Sequence, residues 1–315
     1  MFSGRRLLLA GLLLLGGLTA APLLADRIWF LGLIEHFRPF LALGGMGLAV
    51  LGWRPQRGVA LSGAGLALLN LLIVGSSWAR LAPANETLPS LSLMHLNVNR
   101  HNPDLTAALD HINRQQPDIL FLQEITPENL IPLTVGLAGY ELVLAEPREN
   151  THGSALFLRP AAVAGDVSAE IIYLPAAPDR PLLQVRLEVA GQRVSLLSFH
   201  VIRPRSAWTV QAQAEEITGA AAWSQAQQAR GDRVVIVGDF NATPWSAPLR
   251  GLRRDGGLHL AGSRPGRWAT WPGFLPFLPI DLALGSEGIR FVGYERGPGV
   301  GSDHRPVMYW WEVDG

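Results

Sequence analysis

The sequence predicts two packed β-sheets with helices on their outer faces, preceded by a membrane-embedded helical front end. Three observations predict it. Apolar residues are unevenly spread: positions 7 to 82 hold few charges, while the rest has the make-up of an ordinary globular chain. Beyond position 90, many short apolar runs alternate with only a few helical stretches, which suits two stacked sheets better than a singly wound parallel one. Four polar motifs stand at the ends of runs that read as buried strands, where side chains can be held rigidly and aimed at one point. A length of 315 residues allows one large domain plus an extra piece, or two modest ones.

The front end comes first. Arg5 and Arg6 precede an apolar stretch from Leu7 to Leu24, about 27 Å long as a helix and close to a bilayer core. Val59 to Trp78 is a second candidate span, at about 30 Å, with Trp78 and Arg80 where an interfacial anchor is expected. Between them, Ile28 to Ile34 reads as interfacial and Pro39 to Trp53 as a short middle span. The cluster Glu35-His36-Phe37-Arg38 reads as interfacial loop. A signal peptide cut near Ala25 is the alternative, but two further apolar segments favour an uncleaved anchor. Three spans with the amino terminus inside place the rest of the chain outside the inner membrane, in a periplasm. If the middle segment does not cross, it faces the cytoplasm. Residues 1–82 are thus expected as the membrane region, 83–90 as a linker and 91–315 as the globular domain.

In that domain Leu91 to Val98 reads as a strand, and Asp104 as the cap of a helix from Leu105 to Gln115. Asp118 to Gln123 is a short buried strand, and Pro127 opens the next helix. Tyr140 to Ala145, Ser154 to Leu158, Leu182 to Val189 and Val194 to Phe199 read as successive strands. Ser206 caps the longest helix, Ala207 to Gln228. Strands over Arg233 to Val237, Ile280 to Leu284, Arg290 to Val292 and Val307 to Val313 complete the series.

Composition narrows the partners. All 26 basic residues are Arg and there is no Cys, so disulfides and thiolate metal sites are excluded. From position 89 onward 19 Arg face 23 Asp and Glu, a balance of about −4. A domain gripping long nucleic acid through its phosphates is usually basic. The balance therefore leans toward small or lipid phosphodiesters. Nothing in the sequence calls for a protein partner.

The four motifs are Leu96-Asn97-Val98-Asn99, Leu122-Gln123-Glu124, Gly238-Asp239-Phe240-Asn241-Ala242-Thr243-Pro244 and Gly301-Ser302-Asp303-His304-Arg305-Pro306. One alone would be a turn after a strand. Together they point to a metal-assisted hydrolase. Oxygen donors of this kind suit Mg²⁺, or Mn²⁺, and Glu124 is the leading ligand candidate.

In the order and content of these motifs, residues 90–313 resemble the endonuclease/exonuclease/phosphatase superfamily, whose fold is shared with pancreatic deoxyribonuclease. The resemblance implies a four-layer α/β sandwich with the site at one edge between the sheets. It also implies phosphodiester hydrolysis by metal-activated water. Asn97 then corresponds to the family's Asn at the metal, and Asp303 to the acidic residue beside the catalytic His. Asn99 stands where many members have Asp, and its amide oxygen can still ligate. His304 resembles the catalytic histidine, oriented by Asp281. Asp239 orients or deprotonates the attacking water, and Asn241 contacts the phosphate or the nucleophile. The base is assigned jointly to His304, Asp281 and Asp239. His200 resembles a phosphate-contacting or general-acid histidine. Asn150 and His152 fall where members place a substrate-side residue, with a simple loop role equally open. His36, His95, His101, His111 and His259 carry no motif support.

The stretch from Arg267 to Pro279 is aromatic, apolar and broken by proline. It reads as a loop that stacks on bases, dips into a membrane interface or packs beneath the sheets. The substrate therefore stays open between nucleic acid and a lipid or small phosphodiester. A catalytically silent, membrane-anchored binding module with the same fold is the other class. It is disfavoured because Glu124, Asp239, Asp281 and His304 are all present.

Overall fold

The computed structural model describes residues 4–160, 166–262 and 268–314. They form two compact units. One takes in positions up to Trp78 with the segments 204–211 and 244–247; the other takes in the remainder, from Ala79 onward.

The helical unit contains α1 (Gly4–Ala20), the short α2 (Trp29–Gly32), α3 (Arg38–Gly52) and α4 (Arg57–Gly75). Apolar side chains cover its outside as well as its inside, where Leu15, Leu41 and Val59 are buried. Leu13 is 69% and Val50 76% exposed, whereas Thr19, Arg38 and Asn70 are buried. Asn70 ties the three long helices together, accepting from Arg38 at 3.0 Å and donating to the Thr19 hydroxyl at 3.1 Å. Small residues let α3 and α4 approach closely: a Cβ on Gly45 would lie 2.6 Å from the Gly63 carbonyl oxygen. Gly4–Leu24 and Arg57–Gly75 are each long and apolar enough to cross a membrane. Glu35, expected as an interfacial loop residue, is buried. Its carbonyl accepts the Trp245 indole N–H at 2.7 Å and its carboxylate the Ala247 N–H at 3.0 Å.

The second unit is built on two six-stranded sheets. In chain order its elements are β1 (Leu91–Asn97), α5 (Thr106–Gln115), β2 (Ile119–Gln123), α6 (Pro127–Gly136), β3 (Glu141–Glu146), β4 (Ser154–Leu158), β5 (Ser168–Leu174), β6 (Ala177–Val189), β7 (Gln192–Ser198), α7 (Ala207–Gln228), β8 (Arg233–Asp239), α8 (Ala247–Asp255), β9 (Leu258–Leu260), β10 (Asp281–Ser286), β11 (Ile289–Arg296) and β12 (Val307–Val313). The strand orders are β11-β12-β1-β2-β4-β3 and β5-β6-β7-β8-β10-β9. Each sheet centres on one parallel pair, β1 with β2 and β7 with β8. Parallel neighbours need a crossover, supplied by α5 in the first sheet and α7 in the second.

Strand alternation then sorts the layers. Leu91, Leu93, Ile119, Phe121, Val235 and Val237 meet in the core between the sheets. The intervening Met94, Leu96, Leu120 and Leu122 pack in a separate outer core with Ala108 and Ile112 of α5. Val234, Ile236 and Leu284 do the same with Ile217 and Ala220 of α7. Helix, sheet, sheet, helix: the expected four-layer sandwich is the fold.

Details depart from the sequence reading. Asp104 does accept the Thr106 N–H at 2.8 Å, but α5 starts one residue later than expected. Asp118 lies outside β2 and instead accepts the Ser92 N–H and hydroxyl. The strand β5, the helix α8 and the three-residue β9 were not anticipated. The stretch expected as a linker is tied down, Asn85 N–H donating to the Glu312 carboxylate at 3.1 Å, and Ala82 just before it donates to the Phe291 carbonyl at 2.8 Å.

Candidate active site

The same alternation that builds the inter-sheet core builds the site. Following the inward face along each strand, β1 runs Leu91, Leu93, His95, Asn97; β2 runs Ile119, Phe121, Gln123; β7 runs Val194, Leu196, Ser198; β8 runs Val235, Val237, Asp239. Each apolar series ends in a polar residue at the carboxyl end of its strand, and Asp281 opens the antiparallel β10 directly opposite Asp239. The polar ends of both sheets thus gather at one rim of the sandwich.

Gln123 links the two sheets. Its amide donates to the Ser198 hydroxyl at 3.2 Å and accepts the Asp239 N–H at 3.2 Å. There is no room for a side chain at Gly238, whose Cβ would lie 2.0 Å from the Phe199 carbonyl oxygen of its own sheet and 2.7 Å from the Gln123 amide nitrogen of the other. Just past the strand ends, Asn99, Glu124 and Asn241 all take left-handed backbone angles, with φ of 59°, 60° and 46°. Three non-glycine residues in that sparsely populated region, at one site, mark a backbone bent to aim its side chains.

Glu124 and Asp239 converge on one group: the Asn97 amide nitrogen donates to Glu124 Oε1 at 3.1 Å and contacts Asp239 Oδ2 at 3.4 Å. The other Glu124 oxygen accepts the Arg100 N–H at 3.1 Å. His304 Nδ1 lies 2.9 Å from Asp281 Oδ2, and its Nε2 lies 3.6 Å from Asp239 Oδ2. Asn241 closes over Asp239, donating its N–H to Oδ1 at 2.8 Å, while Arg203 Nε donates to the Asn241 side-chain oxygen Oδ1 at 3.3 Å. Ser302 fixes the loop ahead of His304, donating to the Asn97 carbonyl at 2.6 Å and accepting the His304 N–H at 3.0 Å.

Other expected site residues lie at the edge of this centre. Asp303 accepts from the Asn99 side-chain amide at 2.9 Å and from the Trp271 indole at 3.2 Å; the Asn99 side-chain oxygen Oδ1 is used by the His101 N–H. His200 is buried with Nε2 3.7 Å from Asp239 Oδ2, and its ring faces that of His152 at 5.9 Å. Asn150 accepts the His152 N–H, the local turn role.

His95 was passed over as ordinary, yet it is fully buried with Nε2 3.0 Å from Asp281 Oδ1. Asp281 therefore sits between two imidazoles. The signal was in the sequence: a histidine on the inward face Leu91-Leu93-His95-Asn97, two residues before a site residue. Gln123 and Arg203 were likewise given no role.

The charges explain the protonation states. Burial pulls the His304 imidazole down, but the carboxylates of Asp281 and Asp239 overcome it and push its pKa up to about 10. Burial raises Asp281, yet the His304 charge and the hydrogen bonds from His304 and His95 hold it below the usual carboxylate range. Asp239 is pushed up to about 7, by burial above all. Burial also drives His200 well below its ordinary value and His152 down to about 4, so both are neutral at physiological pH.

This distribution leaves negative charge uncompensated. Glu124, Asp239 and Asp281 are 6%, 0% and 1% exposed, and the His304 imidazolium is engaged with Asp281. An amide N–H occupies the place between Glu124 and Asp239, where positive charge is wanted. His304 Nε2 is buried without a hydrogen-bond partner. A donor set of carboxylate and amide oxygens around excess negative charge fits a hard divalent cation.

Such a centre at the rim of a two-sheet sandwich defines a class, enzymes of the metal-dependent phosphodiesterase or nuclease type. The model of the endonuclease/exonuclease/phosphatase family matches residues 94–304, and the chain belongs to that family. No curated protein matches it by sequence. Among solved structures it is similar to D. rerio TDP2 complexed with a single-strand DNA product, at 18% identity over 71% of this chain and 99% of that one, with a TM-score of 0.57. The human nocturnin catalytic domain with bound sulfate shares 18% identity over 73% of this chain and 97% of that one, with a TM-score of 0.54. An endonuclease/exonuclease/phosphatase from Bacteroides vulgatus shares 17% over 71% and 99%, with a TM-score of 0.55. At such identities the likeness establishes the fold.

Proposed function

We propose that the chain is a membrane-anchored, Mg²⁺-dependent phosphodiesterase. The observation that carries this reading is the convergence of Glu124, Asp239 and the Asp281–His304 pair at one buried rim. Glu124 would hold the cation, joined by the Asn97 amide oxygen once that amide turns over and gives up the Asn99 N–H it now accepts at 2.9 Å. The cation's chemistry there is to polarise a phosphoryl oxygen and offset the buried carboxylates. Asp303 and Asn99, considered as ligands on sequence, pair with each other and support the metal residues from outside.

His304, held as imidazolium by Asp281, presents Nε2–H to the phosphate. Asp239, with a pKa near neutrality, is oriented by Asn241 and takes the proton of the attacking water. As the water oxygen bonds to phosphorus, the bond to the leaving oxygen breaks and that oxygen takes the Nε2 proton. The short separation of Asp239 and His304 lets the proton return. Neutral His200 and the Arg203 guanidinium complete the phosphate contacts. A cation at Asp239, Asp281 and His304, whose ligating atoms also cluster, is disfavoured because both Asp281 oxygens are taken, one by His304 and one by His95.

The apolar outer surface of the helical unit supports the anchor: many leucines face outward, and an Arg–Asn–Thr network is buried among apolar residues inside. Read as three crossings, α1, the 15-residue α3 and α4 would put the catalytic part outside the inner membrane if the amino terminus lies inside. A phosphatase fusion after residue 315 active in cells supports this, and a fusion fluorescent only from the cytoplasm contradicts it. Purified full-length protein tested on bis-p-nitrophenyl phosphate with Mg²⁺ or EDTA checks the activity; turnover indifferent to EDTA refutes it. A panel of DNA, RNA and phospholipids separates substrates. A nuclease loses activity steeply with salt, whereas a lipid enzyme responds to membrane composition.

A further inference from the structure

The loop after Ala269 has no part in the chemistry above, yet it carries a concentrated apolar surface. Phe274 is 85% and Leu275 66% exposed, with Phe277 at 36%. The loop is a built hairpin. Trp271 and Leu278 pair through their backbones, and the Leu275 N–H closes a turn on the Pro272 carbonyl at 3.1 Å. The Phe277 ring packs 6.3 Å from that of Trp271. Its root is fastened to the loop that carries His304, through Gly273 N–H to the Asp303 carbonyl at 2.6 Å and the Trp271 indole to the Asp303 carboxylate. Two guanidinium groups flank that root: Arg305 donates to the Gly273 carbonyl and Arg296 to that of Ala269.

An ordered structure that holds bulky apolar side chains in water is made for an apolar partner. A nucleic acid would stack on aromatic faces, but Leu275 offers none. The 19 Arg against 23 acidic residues beyond position 89 also oppose a polyphosphate partner. An apolar tip, an indole behind it and arginines at the root match the layering of a bilayer surface, from acyl boundary to anionic head groups. The membrane is near in the chain: α4 ends at Gly75, and the globular unit begins at Ala79.

We propose that the Trp271–Leu278 hairpin inserts its Phe274–Leu275 tip into the phospholipid interface, giving the globular unit a lipid contact beside its active site. This rests on the membrane anchor proposed above and not on catalysis. Because the chain has no Cys, single labels are clean. Leu275→Cys and, as a control, Glu188→Cys would carry an environment-sensitive fluorophore in full-length protein reconstituted into phosphatidylcholine–phosphatidylglycerol vesicles. Glu188 is exposed and lies at the opposite end of its sheet from the site, since it pairs with Arg193 while β7 reaches the site at Ser198. With shallow spin-labelled lipid as quencher, the label at 275 is expected to be quenched at least about threefold more than that at 188, as interfacial elements sink about 5–10 Å past the head groups. Phe274→Cys should behave as Leu275→Cys. Equal quenching at 275, 274 and 188 overturns the proposal, including the case in which a protein or nucleic acid covers the tip. Turnover of bis-p-nitrophenyl phosphate on the same samples keeps the questions apart: its absence counts against the phosphodiesterase reading alone.

Discussion

His95 offers the sharpest test of how the site is held. Its Nε2 lies 3.0 Å from Asp281 Oδ1, and both residues are fully buried, so no water can take its place. His95→Leu removes the donor and fills similar space. The ion pair of Asp281 with His304 survives, but the carboxylate loses one of the groups that fix its rotation, and His304 loses its defined direction. A hydrogen bond to a charged group is worth about 1.5–3 kcal/mol, and losing an outer partner of a functional group typically costs about 10–100-fold in activity. We therefore expect kcat on bis-p-nitrophenyl phosphate to fall by roughly that 10–100-fold with KM little changed, because substrate contacts are untouched. His95→Gln, whose amide N–H can reach Asp281, should recover most of the loss. Melting temperatures of both variants show whether the fold is intact. Turnover in His95→Leu within twofold of the parent, or a Gln variant as impaired as the Leu variant, would refute the positioning role.

Three further outcomes follow from the same geometry. Asp239 titrates near 7 in the metal-free protein, raised above its unfolded value, so it is protonated below that pH and the proton competes with a cation beside it. Mg²⁺ affinity measured by calorimetry should weaken by up to about tenfold per pH unit as the pH falls below 7; an affinity equal at pH 6 and pH 8 counts against this. The same carboxylate, ionised above 7, costs stability that a cation restores, so added Mg²⁺ should raise the melting temperature more at pH 8 than at pH 6. Gly238→Ala would press a methyl against the Phe199 carbonyl of the neighbouring strand and the Gln123 amide of the facing sheet and should lower stability by about 3 kcal/mol, seen in denaturant unfolding; a neutral effect would mean the backbone around Gly238 is not packed as described.

How far the sequence could be read depended on how much of each element's signal was local. Ser154–Leu158, Ala207–Gln228 and Val307–Val313 were legible to the residue, being continuous apolar runs or a capped helix. The edge strand β5 was not, because its half-exposed residues show no clean alternation. In α8 only Leu249 and Leu252 are buried among charged neighbours, and an apolar pair in a nine-residue helix is too short a pattern to stand out. The motif residues Glu124, Asp239, Asp281 and His304 were found because their types and spacing are distinctive. His95 and Gln123 were missed because their roles arise from register. Only when β1 is laid beside β2, and the two sheets are stacked, does an inward histidine meet Asp281 or an inward glutamine bridge Ser198 and Asp239.

The central claim is that Glu124 and Asp239 flank a divalent cation at the rim where the two sheets meet. Crystals of the full chain soaked in Mn²⁺ test it through anomalous scattering. The account predicts a single strong peak about 2.1 Å from a Glu124 oxygen, with the Asn97 amide turned toward it. A peak seated instead between Asp281 and His304, or none near Glu124, would contradict it.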